Sequence, residues 1–146
     1  MKLARHGKLL VARSMFAKGS SFLAAAALLH QRKGQDWAVL HLLCQGLETI
    51  LKSLLLIRDY DRYWPQLKRP LSHNLALIAA TTAAEYRLKA PSGALALELR
   101  RLDSLYSAHV MKYGGPIDLF IDPATVPTDR VFRRAMAVLR LAKREI

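Results

Sequence analysis

The chain has 146 residues, enough for one ordinary domain, and 52% of them are hydrophobic, which excludes a disordered polymer and allows a real core. Its formal net charge of +12 suits nucleic acid, nucleotides or an anionic membrane surface as partners. A single cysteine, Cys44, excludes an internal disulfide and fits a reducing compartment, so a cytoplasmic location is expected.

Residues 1–13 read as a basic N-terminal tail and 14–146 as a single helical-bundle domain. Residues 1–35 carry Lys2, Arg5, Lys8, Arg13, Lys18, Arg32 and Lys33 and no acid. The apolar run Phe22–Leu29 follows this basic segment as in a secretion signal, but His30, Gln31, Arg32 and Lys33 come next, with no small-residue cleavage site. An organelle presequence is the other use of such a tail. No uninterrupted apolar stretch reaches the ~20 residues of a membrane span, so no transmembrane segment is expected.

A first helix is predicted over 14–33, where Ala24 to Ala27 favour helix and close approach, with Gly34 as its stop. Asp36 is the expected N-cap of a second helix over 37–58. Its apolar residues Trp37, Leu40, Leu43, Leu47, Ile50, Leu51, Leu54 and Ile57 recur at spacings of three and four. His41, Gln45, Glu48 and Lys52 repeat on another face, and Cys44 reads as a small core residue. Residues 59–72 form a loop broken by Pro65 and Pro70, after which Ser72 is expected to cap a third helix over 73–89. A fourth helix over 94–111 points Leu95, Leu99, Leu102, Leu105 and Tyr106 inward. A loop over 114–127 with three prolines leads to a last helix over 129–144, capped by Thr128. Phe132, Ala135, Val138 and Leu139 share its apolar face, and Arg130, Arg133, Arg134, Arg140 and Lys143 the opposite one. No strand pattern competes, so the expected class is all-α, an antiparallel four- to five-helix bundle.

The five histidines, His6, His30, His41, His73 and His109, form no metal-binding spacing, and no glycine-rich phosphate loop or nucleophile motif is present. No metal or cofactor is therefore expected. The segment Lys68-Arg69-Pro70-Leu71-Ser72-His73-Asn74 sets two cations before a histidine at a loop-to-helix junction, where a helix N-terminus suits a phosphate. Arg69 would add a fork of donors and His73 a proton donor or acceptor; the competing reading has Arg69 solvated and His73 packed at the helix start. Tyr60, Tyr63 and Trp64 beside these cations suit base stacking, a plug at the end of the bundle, or a homodimer contact. The arginines of the last helix suit a phosphate backbone or a solvated face.

Three pieces of this chain together resemble the HEPN domain superfamily. Leu47-Glu48-Thr49-Ile50-Leu51-Lys52-Ser53-Leu54-Leu55 is similar to that family's second-helix pattern of a glutamate, an apolar residue and a lysine followed by leucines. Ser72-His73-Asn74-Leu75, with Ile78 following, is similar to its glycine-histidine-aspartate-leucine start of the third helix. Lys112-Tyr113-Gly114-Gly115-Pro116 lies where many members have an arginine-tyrosine-proline stretch. The resemblance implies a helical bundle, often a homodimer, working beside a nucleotidyltransferase partner in toxin–antitoxin or other defence systems. Some members are metal-independent ribonucleases whose arginine and histidine lie slightly further apart than Arg69 and His73, which have three residues between them. Lys68 has the wider spacing to His73 but is not an arginine, and Arg101 is too far from His109, so the resemblance is to the non-catalytic branch.

The leading expectation is thus a module binding a nucleotide, RNA or a nucleotidyltransferase partner, with Glu48, Lys52, Lys68, Arg69, His73, Lys112 and Tyr113 around a polar groove. One alternative is a metal-independent ribonuclease using Arg69 and His73. Another is a structural dimerisation protein in which Glu48, Lys52 and His73 merely fix helix register.

Overall fold

The computed structural model describes residues 2–146. Two long helices, Arg5–Gln31 (α1) and Asp36–Arg58 (α2), form an antiparallel hairpin at the heart of an all-α fold. A short helix Tyr60–Tyr63 (α3) and a 3-10 turn Trp64–Leu67 follow. Then come Leu75–Glu85 (α4), Gly93–Ser107 (α5), the single turn Val110–Tyr113 (α6) and Asp129–Glu145 (α7). Among the described residues there is no strand.

The stretch expected as a tail is instead helical from Arg5, and Met1 lies outside the described residues. Tertiary support explains the difference. Ala12 is fully buried, and Lys8 pairs with Asp61 at 2.7 Å, so this end of α1 is held against the far end of the hairpin. The two helices meet through glycine. A Cβ placed on Gly46 would lie 2.7 Å from Leu23 Cγ, and one on Gly19 would lie 2.6 Å from Ile50 Cγ1.

α2 is buried along most of its length, because α1, α4, α5, α6 and α7 all pack on it. By length and composition alone it could cross a membrane, although the polar residues of its second face interrupt any unbroken apolar run. In the fold it is mostly interior, as a core helix is.

Several expected caps are replaced. Gln35, one residue before Asp36, accepts from the Ala38 N–H at 3.0 Å. Asn74 rather than Ser72 caps α4, accepting from the Leu77 N–H at 3.0 Å. Ser72 sits in the left-handed region (φ 43°), so the chain is still turning there. Thr128 makes no side-chain cap; the buried Glu98 of α5 lies at the N-terminus of α7, 3.5 Å from the Arg130 N–H. Asp103, also on α5, accepts from the Leu75 N–H at 2.8 Å. Two carboxylates of α5 therefore stand at the positive ends of α7 and α4. The fourth helix stops earlier than expected because the chain breaks at His109 (φ 58°) before α6 begins.

Candidate functional site

The polar face of α2 forms the floor of a cleft. His41, Gln45, Glu48 and Lys52 follow one another at intervals of about one helical turn. Glu48 and Lys52 are both buried, and Lys52 Nζ donates to Glu48 Oε1 at 2.7 Å. His73, just before α4, brings its Nδ1 to 3.1 Å from both carboxylate oxygens of Glu48. Tyr106, from α5, donates its hydroxyl to Glu48 Oε2 at 2.5 Å. One carboxylate thus meets three donors from three parts of the chain.

Lys52 has a second task. Its ammonium also donates to the carbonyls of Leu67, at 3.2 Å, and of Ser72. These two carbonyls bracket the turn that contains the cis Arg69-Pro70 bond. Lys52 therefore fastens this turn to α2, and His73 is the next residue along it. With an acceptor for every ammonium proton, the buried charge is both paired and hydrogen-bonded.

His41, Gln45, His73, Tyr106, His109, Met111 and Lys112 line a cavity of ≈ 160 Å³ above this network. No acidic residue is among them. The rings of His73 and Tyr106 meet edge to face at 5.7 Å, and His109 approaches His73 at 6.2 Å. Burial, then the Lys112 ammonium, lowers the pKa of His41 below its ordinary value. Its Nδ1 is buried and has no hydrogen-bond partner among the described residues. Burial, reinforced by the hydrogen bond to Glu48, pushes the Tyr106 phenol well above its ordinary range, so it remains a donor.

A carboxylate can only accept, so the contact with Glu48 places a proton on His73 Nδ1. A carboxylate that fixes the tautomer of an imidazole is also the arrangement that general acid–base chemistry requires. The cleft thus sets a cation, Lys112, and an oriented imidazole, His73, on one cavity.

Of the residues singled out in the sequence, Glu48, Lys52 and His73 meet in one network, and Lys112 joins them at the cavity. Lys68 and Arg69 do not join. Both are exposed, line no part of this cavity, and make no side-chain hydrogen bond among the described residues. Their carbonyl-rich turn faces Lys52 while their charged heads go to solvent. Tyr113 is 75% exposed and does not line the cavity; the Lys112 ammonium lies 5.2 Å from its ring centre. Tyr106 and His109 belong to the site without a signal in the sequence. Tyr106 reads as one more inward residue of an apolar stripe, and His109 reaches the cleft only because the chain breaks beside it.

Comparisons with family models, with curated proteins and with solved structures gave no match.

Proposed function

We propose that this chain is a HEPN-like binding module that takes a phosphate group of a nucleotide or RNA in the cleft between α2, α5 and α6. The observation that carries the reading is the lining of the cavity: Lys112 and three histidines, with no acid among the lining residues. Lys52 pairs with Glu48 beneath the floor and offsets its charge there. The cavity, at ≈ 160 Å³, is smaller than the ~300–1,000 Å³ of sites that enclose a whole small molecule. It suits a phosphate group, with the remainder of the ligand outside. The sequence resemblance carried by Glu48, Lys52, Ser72-His73-Asn74 and Lys112-Tyr113 adds the expectation of a homodimer beside a nucleotidyltransferase partner, in a toxin–antitoxin or defence setting.

Titration with ATP and with a mixed RNA pool, at two salt concentrations, tests this reading. His73→Ala and Lys112→Ala should each weaken binding, and the Lys112 variant should reduce the salt dependence. Unchanged binding in both variants would sink it.

A ribonuclease is the second reading, favoured by the Glu48-oriented imidazole of His73. Arg69 lies outside the cavity, so Lys112 is the cation better placed to meet charge on phosphorus in this reading. Cleavage of RNA in the presence of a chelator, abolished in His73→Ala, supports it. Absence of cleavage from every RNA offered removes it.

A further inference from the structure

A second surface lies on α3, the 3-10 turn after it and the residues at the start of α1, and shares no lining residue with the cleft. Tyr60 and Trp64 stack face to face, with ring centres 5.3 Å apart and planes within 10°. Trp64 is nevertheless 50% exposed. Tyr60 covers one face of the indole, and Trp64 also lines the depression beside it. The Lys8 ammonium lies 5.9 Å from the centre of the Tyr60 ring, completing a cation–aromatic–aromatic column.

Two depressions of ≈ 350 and ≈ 380 Å³ run beside this column and share Lys8, Tyr60 and Asp61, so they form one groove. Arg5 lines one end and Lys2 and Trp64 the other. Lys8 neutralises Asp61 at 2.7 Å. Lys2 and Arg5 are exposed and have no ion-pair partner among the described residues. The groove therefore has an excess of positive charge next to a flat, exposed indole.

We infer that this groove binds single-stranded nucleic acid, with a base stacked on the open face of Trp64 and the backbone phosphates beside Lys2 and Arg5. A positively charged groove with an aromatic platform is the combination that single strands require, because every base offers a ring face. A duplex keeps its bases stacked internally and gains only the charge. The second ring makes Trp64 a rigid platform: Tyr60 backs the indole, and Pro65 restricts the chain immediately after it.

The test uses the whole chain and a fluorescently labelled oligouridylate of about ten nucleotides, within the usual range of single-strand sites. Anisotropy should show that Trp64→Ala binds about 5- to 150-fold more weakly, the range expected when one base no longer stacks, while Trp64→Phe retains most affinity. Circular dichroism checks that each variant is folded. Replacing Lys2 and Arg5 with glutamine should lower the salt slope by about 0.7 for each phosphate no longer neutralised. Unaltered affinity in Trp64→Ala overturns the proposal. So does a duplex of the same length that binds as tightly as the single strand. Binding to vesicles containing phosphatidylserine, with no binding to the oligonucleotide, overturns it in favour of a membrane surface. A failure of the phosphate cleft would show in the His73 and Lys112 variants and leave the Trp64 dependence intact.

Discussion

Lys52 Nζ stands 2.7 Å from Glu48 Oε1 and also reaches the carbonyls of Leu67 and Ser72, so a single ammonium ties the carboxylate of the site to the turn that carries His73. The i,i+4 spacing that makes such a pair on any helix here does more than link two exposed groups. Both residues are buried, and removing one leaves the other without its counter-charge.

Lys52→Met should therefore cost about 3–5 kcal/mol, the range for breaking one half of a buried ion pair. Urea denaturation measures it. The double variant Lys52→Met with Glu48→Gln should cost less than the sum of the two single changes, because the unpaired carboxylate is then gone. Hydrogen exchange should also quicken over residues 67–72 in Lys52→Met. A destabilisation below about 1 kcal/mol with unchanged exchange would show that the ammonium holds neither partner.

The first half of this network is legible in the sequence, the second half much less so. Glu48 and Lys52 announce themselves by helical spacing on the same face as His41 and Gln45. His73 stands out by its place at a loop-to-helix junction just after Lys68 and Arg69. Tyr106 sits 58 residues from Glu48, at an inward position where a hydroxyl leaves no mark on the apolar pattern. The helix ends repeat the lesson. Asp103 and Glu98 serve the N-termini of α4 and α7 across 28 and 32 residues, whereas the sequence offers only the nearby Ser72 and Thr128. Local rules locate a helix start; they do not reveal a cap supplied by another helix. The N-terminal part of α1 reads as a tail for the same reason, since its support comes from Asp61 and the core.

Acidity should act on two groups in opposite directions. Burial raises the pKa of Asp103, partly offset by hydrogen bonds from the Leu75 N–H and the Ser107 hydroxyl. Its folded form holds its proton more tightly than the unfolded chain does, so its contribution is fully present below the unfolded value and is lost as pH rises through the folded one. His41 is the reverse. Burial, aided by Lys112, lowers its pKa, so its contribution is present above the unfolded value of 6.5 and is lost as pH falls through the folded one. Asp103→Asn should flatten the acid end of a stability–pH curve, and His41→Gln the part just below pH 6.5. NMR titration of the His41 ring should give a midpoint below 6.5; a midpoint above it would contradict the burial described for this side chain.

Gly46→Ala should destabilise the α1–α2 hairpin although alanine is the better helix former. The gain in propensity is about 1 kcal/mol, but the new Cβ would lie 2.7 Å from Leu23 Cγ and 3.0 Å from Leu23 N. The backbone atom cannot rotate away, so the helices must part, at a cost typical of overpacking, about 1–3 kcal/mol. Arg69→Ala, on the exposed turn, is the comparison: it should change stability by no more than about 0.5 kcal/mol. Thermal unfolding of the two variants side by side gives the answer. A Gly46→Ala protein as stable as the parent would show that the two helices do not meet this closely in solution.

Cys44 provides a probe of the core beside the site. It is fully buried on α2, and burial, followed by the nearby carboxylates of Asp103 and Glu48, pushes its thiol far above the ordinary range. The thiolate is the reactive form, so the native protein should resist an aromatic disulfide reagent at mildly alkaline pH. Reaction should require opening of the bundle around α2, and its rate should follow urea in step with the loss of helical circular dichroism. Lys52→Met should accelerate it about tenfold for each ~1.4 kcal/mol of lost stability, because the same opening exposes the thiol. Rapid labelling of the native parent protein, with its helical signal intact, would mean that the middle of α2 opens locally while the rest of the bundle stays folded.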